Sequence, residues 1–255
     1  MFEFAKKIKL FAFDLDGTLY VGENAVSGAV ELIQYLREKY QIVFFTNNSA
    51  KTSRQVHEKL NKLRIECKLN EVYTASSAAA DYLKESGIDN VYVVGSKGFC
   101  EELRSRGIKL VDDESAENLV VGLDFDFSYN KIAAALAILL KGGKFIACNE
   151  DRSFPAGENR FFPGCGAMVG AIAAAADKNP DFVIGKPNTY ILAKISRDFQ
   201  VKHDQIMVVG DSFESDIKMA LNYKSGAILI NDNYAAHKNV IGFKDMNELI
   251  SSMGR

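Results

Sequence analysis

The chain repeats one unit. A short, mainly apolar run breaks off in a polar or glycine-containing turn, and a longer stretch with apolar positions three and four apart follows. Apolar runs lie at residues 8–13, 42–45, 71–74, 91–94, 119–123, 145–148, 181–184, 206–209 and 227–230. Helical spacing lies at 26–39, from about 53, and at 76–85, 97–106, 129–141, 166–176, 189–199, 215–222 and 246–253. In the first of these, Ala29 and Val30, Ile33 and Leu36 share one face. Strands apolar on both faces have no side turned to solvent, and a helix between successive strands is the connection that a parallel pair requires. The expected fold class is therefore α/β, a doubly wound parallel sheet covered on both sides.

The pattern starts afresh after the turn at 86–90, and three strand–helix units follow before residue 180. That is enough for a small α/β domain of its own. A core made of residues 1–81 and 181–255, interrupted by an inserted domain at 82–180, is the expected organisation. Inside the insert, residues 149–165 form a long connection rich in Gly, Pro and Phe. Loops of this length in compact domains are functional or disordered.

Composition removes several function classes. Lys and Arg total 31 against 33 Asp and Glu, a net charge of -2, so no basic surplus points to nucleic acid. The longest apolar run, 132–140, is too short to span a bilayer, and the first ten residues alternate apolar and charged types, unlike a signal peptide. Neither nucleic acid nor membrane is an expected partner. Cys67, Cys100, Cys148 and Cys165 are widely spaced, which argues against a zinc site or a disulfide framework and suits a reducing cytoplasm. His57, His203 and His237 stand alone in polar surroundings and read as surface or helix residues.

The chemistry lies where the apolar runs stop. The first ends in Asp14, and Asp16 follows on the same side by strand alternation. Two carboxylates at a buried strand end repel each other and are costly to desolvate, and a bound cation offsets both effects. The alternative is a plain Asp-Gly turn. Other runs end in Thr46-Asn47-Asn48, Gly185-Lys186-Pro187 and Gly210-Asp211-Ser212. Each has its own plain reading: a helix cap at Thr46-Asn47-Asn48, a strand-to-helix turn at Gly185-Lys186-Pro187, a capping acid at Asp211. In an open parallel sheet the carboxyl ends of the strands line the ligand crevice, so four such endings in one sheet converge. A hydroxyl, an amide and a lysine around an aspartate suit a phosphate, with one carboxylate to attack and three donors to hold its oxygens. Asp14 and Asp211 offer hard oxygens for Mg²⁺, Lys186 stabilises developing charge, and Asp16 is placed to give and take a proton.

Asp14-Leu15-Asp16-Gly17-Thr18-Leu19 resembles the first motif of the haloacid dehalogenase superfamily of phosphatases. Thr46-Asn47-Asn48 resembles its second motif, Gly185-Lys186-Pro187 its third, and Gly210-Asp211 with Ser215-Asp216 its fourth. The large insert is similar to a C2 cap, and together the motifs point to subfamily IIA, the NagD-type and p-nitrophenyl-phosphatase-like enzymes. The resemblance runs from Phe11 to about Ile230. It implies Asp14 as nucleophile, Asp16 as general acid and base, and Mg²⁺ held by Asp14, the backbone carbonyl of Asp16, and Asp211. It further implies phosphate binding by Thr46, Asn47 and Lys186, support from Asp216, a small phosphorylated metabolite as substrate, and pairing of copies through the cap.

The chain departs from the family at Ser212, where Arg is usual, and at Ser215, where Thr is usual. Asn231-Asp232 stands in place of Thr-Gly. In the cap, Asn149-Glu150-Asp151-Arg152 resembles the substrate-reading region, with Glu150 in place of Pro. Asn149, Asp151 and Arg152 are the specificity candidates there, and Arg160, Phe161 and Phe162 could also face a substrate. Gly164-Cys165-Gly166 before a helix suits either an anion on backbone N–H groups or close packing, and packing is the preferred reading. The expected function is Mg²⁺-dependent phosphomonoester hydrolysis through an aspartyl-phosphate. The alternatives are phosphoryl transfer to a second small molecule, as in a mutase, and a non-catalytic receiver-like module.

Overall fold

The computed structural model describes residues 7–155, 160–231 and 240–253. The chain forms two compact units, one of Met1–Thr46, Val56–Tyr73 and Lys186–Arg255, the other of Asn47–Gln55 and Thr74–Gly185. The span 82–180 lies wholly within the second. His237 and Asp232 lie outside the described residues.

The first unit carries a six-stranded sheet in the order Ile241–Phe243, Gly226–Ile230, Ile206–Gly210, Leu10–Asp14, Gln41–Thr46, Val72–Thr74. Leu10–Asp14 is buried along its whole length and pairs in parallel with Ile206–Gly210 on one side and Gln41–Thr46 on the other. Chain order reverses at this strand, which makes its carboxyl end the topological switch point. Phe11 and Phe13 pack into a buried cluster with Phe44, Leu32, Ile33, Leu36, Val209 and Met246. Each fully buried side chain of this kind contributes roughly 1.5–3 kcal/mol.

The helix expected at 26–39 is confined to Ala29–Arg37. Gly28, at φ 83°, adopts a left-handed conformation that a helix cannot run through. From there Ala29, Leu32, Ile33 and Leu36 form the buried stripe, and Arg37 lies in the last turn where the helix dipole favours a cation.

The second unit carries a five-stranded sheet in the order Phe182–Val183, Phe145–Ala147, Asn118–Val121, Asn90–Val94, Lys109–Leu110, and every pair is parallel. Its helix Ala75–Glu85 starts at Thr74, where the Thr74 hydroxyl accepts the Ser77 N–H at 3.0 Å and the Ser77 hydroxyl accepts the Thr74 N–H at 3.1 Å. This unit is α/β, with helices beside a parallel sheet.

One strand belongs elsewhere than its sequence suggests. Residues 181–184 read as a strand of the core sheet that delivers Lys186, yet Phe182–Val183 pairs with Phe145–Ala147 in the second sheet. The Asp181 carboxylate accepts the Phe145 N–H at 2.7 Å, and the Phe182 ring stacks on Tyr82 with centroids 4.2 Å apart. Three endings, not four, therefore come from one sheet. The helix expected at 215–222 runs as a wide turn, Phe213–Ile217, followed by Lys218–Tyr223. No helix among the described residues is long and apolar enough to cross a membrane.

Candidate active site

Asp14 closes the central strand and is 3% exposed. Its Oδ1 accepts Lys186 Nζ at 2.5 Å, and its Oδ2 accepts the Thr18 hydroxyl at 3.1 Å. Lys186 also donates to Asp216 Oδ1 at 2.7 Å, so a buried ammonium lies between two buried carboxylates. Burial alone would lower the Lys186 pKa, but the Asp14 and Asp216 charges outweigh it and raise it.

Asp211 follows the neighbouring strand Ile206–Gly210, and its Oδ1 lies 2.9 Å from the Thr18 hydroxyl. The chain comes very close here. Gly17, at φ 94°, leaves no room for a side chain, since a Cβ there would lie 2.5 Å from Asp211 Oδ2. Gly210 likewise makes way for Asp216, whose Cγ would lie 2.4 Å from an added Cβ. The wide turn Phe213–Ile217 buries Asp216 completely and brings its Oδ2 to the Ser212 N–H at 3.1 Å. Ser212 thus supplies a backbone donor to this buried carboxylate.

Oxygens of Asp14, Asp211 and Asp216 lie within 4.8 Å of one another. Three carboxylates against one ammonium carry a formal surplus of two negative charges, which is the charge of one divalent ion. The strain of this arrangement shows in the acids. Burial first, then the Asp14 charge, raises the Asp211 pKa, and the same two causes push Asp216 up to about 7 against the pull of Lys186. A hard oxygen-seeking cation such as Mg²⁺ fits this donor set. All three carboxylates offer oxygens to such an ion, and the family resemblance implies Asp14 and Asp211 as the side chains that hold it.

Asp16 points to a different set of partners. Its Oδ2 accepts the Tyr20 hydroxyl at 3.1 Å and the Thr46 hydroxyl at 3.3 Å. Asp16 keeps an exposed face, yet crowding of its carboxylate by the surrounding protein, then the Asp14 charge, raises its pKa, in the direction that lets a carboxyl keep a proton for transfer. The first unit therefore brings together Asp14, Asp16, Thr46, Lys186, Asp211 and Asp216. Thr18 is the member that sequence reasoning missed. It stands in the first motif, but nothing in linear spacing shows that one hydroxyl reaches both Asp14 and Asp211.

Asn47, Asn149 and Asp151 form a separate set in the second unit. The Asn47 amide donates to both Asp151 oxygens at 3.2 and 3.0 Å, and the Asn149 amide donates to the Asn47 carbonyl at 2.7 Å. Arg152 is exposed. Phe161 and Phe162 are 67% and 48% exposed. The glycines at 164 and 166 act as spacers. Added Cβ atoms would lie 2.1 Å from the Asp151 carbonyl and 2.4 Å from that of Glu150, and the N–H groups of Gly164 and Gly166 already donate to the carbonyls of Arg152 and Asp151, each at 2.9 Å.

A doubly wound parallel sheet with a carboxylate–lysine–carboxylate cluster at its switch point defines the class of α/β proteins that carry a charged site at the carboxyl edge of the sheet. Two family models match the chain: haloacid dehalogenase-like hydrolase over residues 11–109, and HAD-hydrolase-like over 183–243. An acid sugar phosphatase of Staphylococcus aureus (strain MRSA252) is 34% identical across 97% of this chain and 99% of its own length. Among solved structures, the 4-nitrophenylphosphatase of Thermotoga maritima superposes with a TM-score of 0.90 at 27% identity, over 98% of this chain and 99% of that one. A p-nitrophenyl phosphatase from Archaeoglobus fulgidus superposes at 0.89 and 27% identity, over 96% and 99%. A putative nagD protein matches at 0.90 and 26% identity over 100% of both chains. The chain belongs to the haloacid dehalogenase-like hydrolase family, among its phosphatases.

Proposed function

We propose that this chain is a Mg²⁺-dependent phosphomonoester hydrolase that works through an aspartyl-phosphate and acts on a small phosphorylated metabolite, with sugar phosphates the leading class. The observation that carries this reading is Asp14: a buried carboxylate, held at one oxygen by Lys186 and at the other by Thr18, inside a cluster with two surplus negative charges. The acid sugar phosphatase relatives support the substrate class.

An Asp14 oxygen attacks phosphorus, the ester P–O bond breaks, and Asp16 gives its proton to the leaving alcohol oxygen. Asp16, now a carboxylate, takes a proton from the water that attacks the same phosphorus. The bond from phosphorus to Asp14 then breaks, phosphate leaves, and both aspartates return to their starting states. Lys186 and Thr46 donate to the phosphate oxygens, with Asn47 added to them by the family resemblance. When bound by Asp14, Asp211 and the Asp16 carbonyl, Mg²⁺ supplies positive charge against the repulsion between carboxylate and phosphate. Asn149 and Asp151 fit the role of substrate readers less well than Arg152, because their side chains hold Asn47. A cytoplasmic enzyme pairing through its second unit completes the reading.

The test is phosphate release from a panel of phosphorylated metabolites with Mg²⁺, beside the Asp14→Asn protein. Wild-type turnover should be lost in the variant, and turnover at the wild-type rate would remove Asp14 as nucleophile. Transfer of phosphate to a second alcohol without release would favour a phosphotransferase instead.

A further inference from the structure

The mechanism uses Asp16 but does not explain what aims it. Asp16 sits in the turn after the central strand, where a carboxylate has rotational freedom unless something holds it. Two donors do so, and both reach the same oxygen: Tyr20 and Thr46 donate to Oδ2 at 3.1 and 3.3 Å. Among the described residues, Oδ1 accepts no hydrogen bond. An oxygen with two O–H donors is a poor place for a proton, so this arrangement leaves Oδ1 as the oxygen that carries and transfers it.

Thr46 has one hydroxyl proton, which the proposed mechanism turns to the phosphate, so Tyr20 is the donor that stays on Asp16 through the reaction. Its ring is 3% exposed, so the phenol cannot turn to water. Burial first, then the Asp16 charge, raises its pKa and keeps it a donor. The ring is itself held. Lys59, on helix Ser53–Lys62, places its ammonium 3.7 Å from the Tyr20 ring centroid and 3.8 Å from Glu23 Oε1. Glu23 stands in the turn of the hairpin Tyr20–Val21/Asn24–Ala25, so the cation ties ring and turn to the helix.

We propose that Tyr20 is a positioning residue: its hydroxyl, with the ring fixed by Lys59, fixes the Asp16 carboxylate so that Oδ1 faces the reacting phosphate ester. This rests on the proposed role of Asp16 as proton donor to the leaving group. The consequence is a dependence on the leaving group. Nitrophenolate departs as a stable anion and does not need the proton, whereas an alkoxide does.

The experiment is single-turnover release of nitrophenolate from p-nitrophenyl phosphate and of glycerol from glycerol 3-phosphate, with Mg²⁺, for wild type, Tyr20→Phe, Lys59→Met and Asp16→Asn. Tyr20→Phe keeps the ring and its packing and removes only the hydroxyl. It should release nitrophenolate within twofold of the wild-type rate but glycerol about tenfold more slowly, part of the 10²–10⁴ that a positioned acid contributes, with an unchanged melting temperature. Lys59→Met should show the same pattern at about threefold, and it decides the matter alone if Tyr20→Phe does not fold. Equal loss on both esters, or loss on neither, overturns the proposal. Asp16→Asn separates the two layers. If it too spares glycerol release, the acid assignment itself fails; if it shows the leaving-group pattern and the Tyr20 and Lys59 variants do not, only the positioning role falls.

Discussion

Replacing Lys186 with methionine should destabilise the fold in a way that pH and metal both report. The side chain is 6% exposed, its ammonium lies 2.5 Å from Asp14 Oδ1 and 2.7 Å from Asp216 Oδ1, and those carboxylates are 5% and 1% exposed. Methionine keeps an apolar stem, which can still lie near the Phe45 ring that now sits 5.0 Å from Nζ. What disappears is the ammonium that faces both Asp14 and Asp216. Removing one partner of a buried ion pair costs about 3–5 kcal/mol, because the other charge is left unpaired. At about 2–4 °C per kcal/mol for a chain of this size, the melting temperature in chelator should fall by roughly 6–20 °C.

The sign of the pH dependence follows from the acids. The Asp216 carboxyl titrates near 7 in the fold against an ordinary 3.8, so the fold binds that proton more tightly than the unfolded chain does. Its contribution to stability is present below about pH 4 and is lost as the pH rises through about 7. Without Lys186 the folded value moves higher still. The gap between variant and wild type should therefore be small near pH 4 and full at pH 8. Mg²⁺ should raise the melting temperature of the variant more than that of wild type, and the second change Asp216→Asn should recover part of the loss. The assay is thermal unfolding by circular dichroism at both pH values, with EDTA and with Mg²⁺. A fall of less than 2 °C at pH 8 in EDTA, or a gap that does not narrow at pH 4, would refute the buried-charge argument.

Three further outcomes are expected. Chelation should abolish phosphate release and added Mg²⁺ restore it, with a rise in melting temperature on Mg²⁺ addition; activity that persists through exhaustive chelation would count against the metal. Gly17→Ala forces a side chain into a left-handed turn 2.5 Å from Asp211 Oδ2, so activity should fall at least tenfold and the Mg²⁺ concentration for half-maximal rate should rise, both read by titrating the metal. Away from the site, Arg37 donates to both oxygens of Glu71 at 2.9 and 2.8 Å, and the Glu71 side chain is 9% exposed. Arg37→Met should cost about 3 kcal/mol in urea unfolding, the low end of the range for a broken buried pair, because the Arg37 side chain is 22% exposed; an unchanged midpoint would show that Glu71 finds other donors.

The chain's own order settled a great deal. Alternating apolar runs and helical spacing specify a parallel sheet, because a strand apolar on both faces has nowhere to sit except between helices. The runs ending in Asp14, Thr46 and Asp211 locate the switch point, since side chains at strand ends follow from backbone direction alone. Strands of two or three residues have no readable period, so Lys109–Leu110, Ile241–Phe243 and the hairpin Tyr20–Val21/Asn24–Ala25 are not legible in the sequence. Which sheet a strand joins is also not a local property. Phe182–Val183 is apolar enough for either, and only Tyr82 and the Phe145 backbone assign it to the second. The same holds for the chemistry. Residue types named a nucleophile, an acid and a lysine, but Thr18 between Asp14 and Asp211, Lys186 between Asp14 and Asp216, and Tyr20 against Asp16 are pairings across turns and strands. Hydrogen bonds and ion pairs act over a few ångströms of space, whatever the distance in sequence, so folding alone decides which of the available groups meet.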